Sequence, residues 1–184
     1  MHRQWLIDKV SDYLTIYPEN SVAQNLLEFV QQNPNCFDRS NLIGHITGSA
    51  WVVSADSQRI VLIHHKKLNK WMQPGGHSDG NPHTATVALR EATEETGLNN
   101  LKLASEDIFD LDIHQIPERV GEPAHDHFDV RFVVRAGTNE TLHINDEVSD
   151  LRWFDLKEIL AMNLEESVLR MARKWKERGF YDFK

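Results

Sequence analysis

Residues 74–98 read PGGHSDGNPHTATVALREATEETGL, a glycine-rich loop running into a short acidic helix. Asn81 followed by Pro82 predicts the helix start, because an asparagine side chain accepts from orphan N–H groups and proline suits the first helical position. Gly97 predicts its end, since glycine takes the left-handed conformation at no steric cost. Ala85, Ala88, Leu89 and Ala92 recur at three- and four-residue steps and form a small apolar face able to press closely on a sheet. Glu91, Glu94 and Glu95 lie elsewhere on the wheel, within about one turn of each other. Three carboxylates so placed repel one another unless a cation joins them. Hard carboxylate oxygens beside the backbone carbonyls of a glycine-rich loop are the donors that Mg²⁺ or Mn²⁺ prefers. Arg90, beside the cluster, can brace a carboxylate or meet a phosphate with its planar fork. Read alone, the same helix also fits a solvated face of mixed charge.

The whole stretch resembles the Nudix box, G-x5-E-x7-R-E-U-x-E-E-x-G-U with U apolar. Gly76 opens it, Arg90 to Leu98 closes it at the family's spacing, and Pro74-Gly75 precedes it as in many members. One position departs: the first glutamate of the box falls on Pro82, which bears on the number of metals the site holds. The resemblance is specific over the box and looser over about residues 43–160. It implies an α/β/α sandwich with a mixed sheet, and a divalent-metal-dependent hydrolase. Such an enzyme cleaves a phosphoanhydride bond in a nucleoside diphosphate linked to another moiety, such as a nucleotide sugar, ADP-ribose or a nucleoside triphosphate. It further implies that the Gly75 carbonyl and the carboxylates of Glu91, Glu94 and Glu95 hold Mg²⁺ or Mn²⁺, that Arg90 orients the acids, and that Glu94 or Glu147 accepts the proton of the attacking water. Two alternatives stand beside this reading: a non-catalytic nucleotide-binding or regulatory module, and a diphosphate isomerase of the same fold, which uses a cysteine near the site.

Composition agrees with a soluble enzyme. The chain has 184 residues, 40% hydrophobic and 26% charged, enough for one domain with a core and a small appendage. A net charge of −8 argues against nucleic-acid or membrane-surface partners and leaves attraction of anionic substrates to local cations. Cys36 is the single cysteine, so no intrachain disulfide forms and a reducing compartment is expected. Asp8, Lys9 and Asp12 interrupt any apolar run near the N-terminus, so neither a signal peptide nor a membrane span is expected, and the cytoplasm is the default.

Along the chain, Leu6, Val10, Tyr13, Leu14 and Tyr17, then Val22, Leu26, Leu27 and Val30, predict two helices over residues 2–17 and 19–33. They form a helical hairpin, residues 1–40, ahead of a catalytic domain at 41–184. The hairpin packs on that domain or on a second subunit, and a homodimer is expected by analogy with the family. A polar linker follows from Asn35 to Asn41. Thr47 to Ser54 and Arg59 to His65 flank a turn and predict a strand hairpin. Lys66, Lys67 and Lys70 make a basic patch that reads as solvated. Further strands are expected at Leu101–Ala104, Ile108–Ile116 and His127–Arg135, with a loop from Pro117 to Pro123. In the last strand His125, His127, Asp129 and Arg131 share one face, opposite Phe128, Val130, Phe132 and Val134. That polar face reads as a metal site, a substrate-binding wall or a solvated surface, and His127, Asp129 and Arg131 are the candidate substrate residues. Asn145 to Phe154 is an acid-rich loop entering a strand, and Leu156–Met162 and Glu165–Arg178 predict two closing helices.

Overall fold

The computed structural model describes residues 2–119, 121 and 123–178. Val120 and Glu122 of the expected Pro117–Pro123 loop, and the end of the expected domain at 179–184, lie outside the described residues. The helical hairpin is α1 (Gln4–Ile16) and α2 (Ser21–Gln32). Asn20 caps α2 by accepting from the Ala23 N–H at 2.9 Å. Strands β1 (Gly44–Val53), β2 (Arg59–His65), β3 (Lys70–Met72) and β4 (Gly75–His77) lead into the acidic helix α3 (Thr84–Thr96). After it come β5 (Lys102–Leu103), β6 (Asp110–Ile116), β7 (His125–Arg135) and β8 (Val148–Asp155), then α4 (Leu156–Ala161) and α5 (Glu166–Arg178). Asp155 opens α4 with a capping box completed by Glu158.

These strands make one mixed sheet with β1 at its centre. β1 runs parallel to β7 from Gly44↔Asp126 to Val53↔Arg135 and antiparallel to β4 from Thr47↔His77 to Ser49↔Gly75. The expected β1–β2 hairpin survives only at its tip, Val53↔Ile60. The reason is that both edges of β1 are already spent on β7 and β4, while β2 pairs with β8 and β3. β6 and β5 close the far side of β7.

Helices cover both faces, as an α/β/α sandwich requires. On one face Ile46, Ala50, Val52, Phe128, Val130 and Phe132 pack with α3, α1 and α2. On the other, Trp51, Val53, Ile60, Leu62 and Val133 pack with α4 and α5 through Ile159, Met171 and Trp175. The N-terminal hairpin therefore belongs to the same core as α3. Phe29 of α2 lies flat on Phe128 with ring centroids 3.9 Å apart, and Trp5 of α1 meets His83 and Phe132. Further along α1, the Tyr13 hydroxyl accepts from Lys174 Nζ of α5 at 2.7 Å, joining the layers around the sheet edge. The expected polar linker is partly interior, since Cys36 and Phe37 are buried. Among the described residues no helix is long and apolar enough to cross a membrane.

Candidate metal and phosphate site

The loop before α3 is glycine because it is squeezed from both sides. A Cβ on Gly75 would stand 2.1 Å from Ser49 Oγ, and one on Gly76 would stand 2.4 Å from the Glu91 carboxyl carbon. The loop is pinned by its own backbone: the Ala50 N–H donates to Pro74 O at 2.9 Å, and the Gly75 N–H donates to Glu95 Oε2 at 2.8 Å. Gly48 plays the matching part in β1, where a Cβ would meet Thr84 O at 2.7 Å and push α3 away from the sheet.

The helix starts later than its sequence predicts. Thr84 is its first residue and His83 its cap, with no side-chain hydrogen bond. Asn81 Oδ1 instead accepts from the His83 N–H at 2.9 Å, the local turn that asparagine favours over capping. Pro82 thus lies in the turn ahead of the helix. Of the polar residues beside it, Asp79 is held by Arg39 Nε and Nη2, at 2.6 and 2.8 Å, and the His83 ring packs against Trp5. The helix ends at Gly97 with φ 70°, as its sequence predicts.

Arg90 reaches Glu91 at 2.7 Å, Glu94 at 3.2 Å and the His77 carbonyl at 3.0 Å, bracing two acids against the loop. Glu95 is only 5% exposed. Burial pushes its pKa up to about 8, opposed by the Gly75 N–H and reinforced by the charges of Glu91, Glu147 and Glu94. Burial also raises Glu91, against the pull of Arg90 and with the push of Glu94. Glu94 is exposed. So is Glu147, whose charge is felt at Glu95. Its loop is tied to the helix through Asn145 Nδ2, which donates to Glu94 O at 3.1 Å. Glu91, Glu94 and Glu95 thus line one edge beside the glycine loop, short of positive charge, but without converging: Arg90 draws two of them and the Gly75 N–H the third. Such hard oxygen donors in a field of uncompensated negative charge fit a divalent cation.

The polar face of β7 is not a solvated surface. Asp129 and Arg131 are 2% and 1% exposed. Asp129 accepts from Thr47 at 2.9 Å, Ser49 at 2.7 Å and Arg131 Nε at 2.7 Å. Arg131 also pairs with Asp110 at 3.2 Å and Asp112 at 3.3 Å, and Arg170 and Lys174 of α5 complete the network on Asp110. A substrate wall needs accessible side chains, which these two are not. They hold the sheet behind the loop, where Ser49 touches both Asp129 and the space over Gly75. His127 remains partly exposed and stands among His45, His77 and His125. Burial, and then the neighbouring imidazoles, keep it far below the usual histidine range. Reading the sequence alone passes over Ser49, His45 and His77. The alternation His45, Thr47, Ser49 in a strand was the available signal for the first two, and His77 directly follows the glycine pair.

The NUDIX domain profile matches residues 45–175. Among solved structures, the chain is similar to a C. elegans Ap4A hydrolase in a binary complex, with TM-score 0.58 and 15% identity over 72% of this chain and 96% of that one. It is similar to a NUDIX-family hydrolase from Clostridium perfringens, with TM-score 0.54 and 28% identity over 73% and 98%. It also resembles the MutT protein of Methanosarcina mazei Go1, with TM-score 0.57 and 18% identity over 75% and 96%. No curated protein matches the sequence. With a domain match that spans most of the chain and the box acids gathered along one helix against the glycine loop, the chain belongs to the Nudix family of hydrolases that act on pyrophosphate bonds.

Proposed function

We propose that the protein is a divalent-metal-dependent pyrophosphohydrolase of a nucleoside diphosphate linked to a second moiety. The observation that carries this reading is Glu95, a carboxylate buried against the Gly75 N–H with Glu91 pressed on Gly76 beside it. Glu91, Glu94, Glu95 and the Gly75 carbonyl would hold Mg²⁺ or Mn²⁺, which would neutralise charge on the phosphoryl oxygens and acidify a bound water. Arg90 keeps Glu91 and Glu94 apart from one another and in register with the loop. Glu94 or Glu147, the two exposed carboxylates of the group, would accept the proton of the attacking water. A single buried cysteine suits a reducing cytoplasm.

Two other readings are weaker. Cys36 is fully buried and its thiol pushed up to about 11 by burial, which leaves isomerase chemistry without an accessible thiol. A binding module without turnover draws on Pro82 alone, since the other box acids stand together. The test is a panel of nucleotide sugars, ADP-ribose, dinucleoside polyphosphates and nucleoside triphosphates with Mg²⁺ or Mn²⁺, beside a Glu94→Gln and a Glu147→Gln variant. Metal-dependent release of a nucleotide is the expected result, and the variant that loses turnover while keeping its Mn²⁺ affinity names the base. Nucleotide binding without turnover on every substrate overturns it in favour of the binding module.

A further inference from the structure

Strand pairing brings three histidines from distant parts of the chain to one place. His45 of β1 is directly opposite His127 of β7, and Thr47, two residues on, is opposite His77 of β4. Paired residues share a face, and so do residues two apart, so His45, His77 and His127 leave the sheet on the same side. Gly76 and the Glu91 carboxylate against it belong to the other side, which separates this group from the box acids.

The three rings form a nearly equilateral triangle, with centroids 5.0 Å apart for His45 and His77, 4.7 Å for His45 and His127, and 4.9 Å for His77 and His127. One nitrogen from each lies within 4.8 Å of the others. His45 is buried, and the other two are partly so. A fourth ring adjoins them. His125 donates from Nδ1 to the Pro123 carbonyl at 2.8 Å, which fixes its tautomer and leaves a lone pair on Nε2. That Nε2 lies 3.3 Å from His127 Nε2. That hydrogen bond holds the His127 ring from outside the group of three.

We propose that His45, His77 and His127 bind one Zn²⁺ ion on the sheet face away from the acidic helix, with the fourth position open to a water or an exogenous ligand. Neutral imidazoles suit zinc and its transition-metal neighbours and are poor ligands for Mg²⁺, so the two sites take ions of different hardness without competing. The ion fastens β4, and with it the Gly75-Gly76 loop, to the β1–β7 pair.

Untagged protein, purified without chelators and dialysed against Mg²⁺ buffer, is assayed for metal by mass spectrometry. It is then reconstituted with Co²⁺ alone to read the visible absorption of a tetrahedral nitrogen site. The expected result is about one zinc per chain, an intense Co²⁺ band, loss of both by at least about tenfold in His77→Asn and His127→Gln, and retention of both in Glu91→Gln. Folded wild-type protein with no Co²⁺ band and less than about a tenth of an equivalent of zinc overturns the proposal, whatever the variants do. So does zinc held equally well by a His45→Asn, His127→Gln double variant.

Discussion

Replacing Glu95 by glutamine tests the electrostatics of the acidic helix without any substrate. In the fold Glu95 rises from 4.5 to about 8, chiefly through burial. At 1.36 kcal/mol per pKa unit, that difference of about 3.5 amounts to about 5 kcal/mol. Because the folded pKa is the higher one, the folded chain holds a proton that the unfolded chain has released between pH 4.5 and about 8. Stability of the metal-free protein is therefore full below about 4.5, falls by about 1.4 kcal/mol per pH unit, and has lost this contribution by about pH 8. At 5% exposure there is little solvent screening to reduce the effect. Glutamine keeps an oxygen for the Gly75 N–H and carries no charge, so Glu95→Gln removes the pH dependence and leaves the hydrogen bond. Urea denaturation in EDTA, repeated from pH 4.5 to 9, measures it. The variant becomes more stable than wild type as pH rises, by several kcal/mol at pH 9, and Mg²⁺ or Mn²⁺ restores the wild type but not the variant. Parallel pH profiles for the two proteins refute the reasoning.

Three further outcomes follow from contacts already described. Gly76→Ala sets a methyl group 2.4 Å from the Glu91 carboxyl carbon, so its apparent metal affinity in a Mn²⁺ titration drops about 10- to 100-fold while the circular dichroism spectrum is kept. Asp110→Asn leaves Arg131, Arg170 and Lys174 around a neutral side chain, and costs about 3–5 kcal/mol in urea denaturation. Phe29→Ala removes the ring stacked on Phe128. It lowers global stability by about 3–5 kcal/mol in a single transition, whereas a hairpin folding apart from the sheet gives a separate, earlier one.

What could be read from the sequence was local. The acidic helix, its Gly97 stop and the two N-terminal helices follow from periodicities of three and four within short windows, where a residue's neighbours are known in advance. Asn81 was misread because its two preferences, capping a helix and closing a turn on its own backbone, are equally local and only the path of the loop decides. Asp129 and Arg131 were open to a solvated reading because their partners, Thr47, Ser49, Asp110 and Asp112, come from other elements. A strand that alternates polar and apolar residues looks half-exposed until a helix with complementary charge covers the polar side. The histidine triangle is likewise a product of register: nothing near His45 announces that His127 will stand beside it.

The long parallel seam between β1 and β7 has a consequence for how the protein comes to be made. Gly44 pairs with Asp126 across nearly half of the chain's length, and Phe29 waits for Phe128 in the same way. During synthesis the hairpin and the first strand emerge with their apolar faces uncovered, and β4 and α3 cover them only in part before β7 arrives. Closing so large a loop costs entropy before any contact rewards it, so the nucleus forms late and folding is slow for a chain of this size. The stretch of greatest exposure to chaperones, and to aggregation, ends when residue 135 clears the ribosome and the central strand gains its partner.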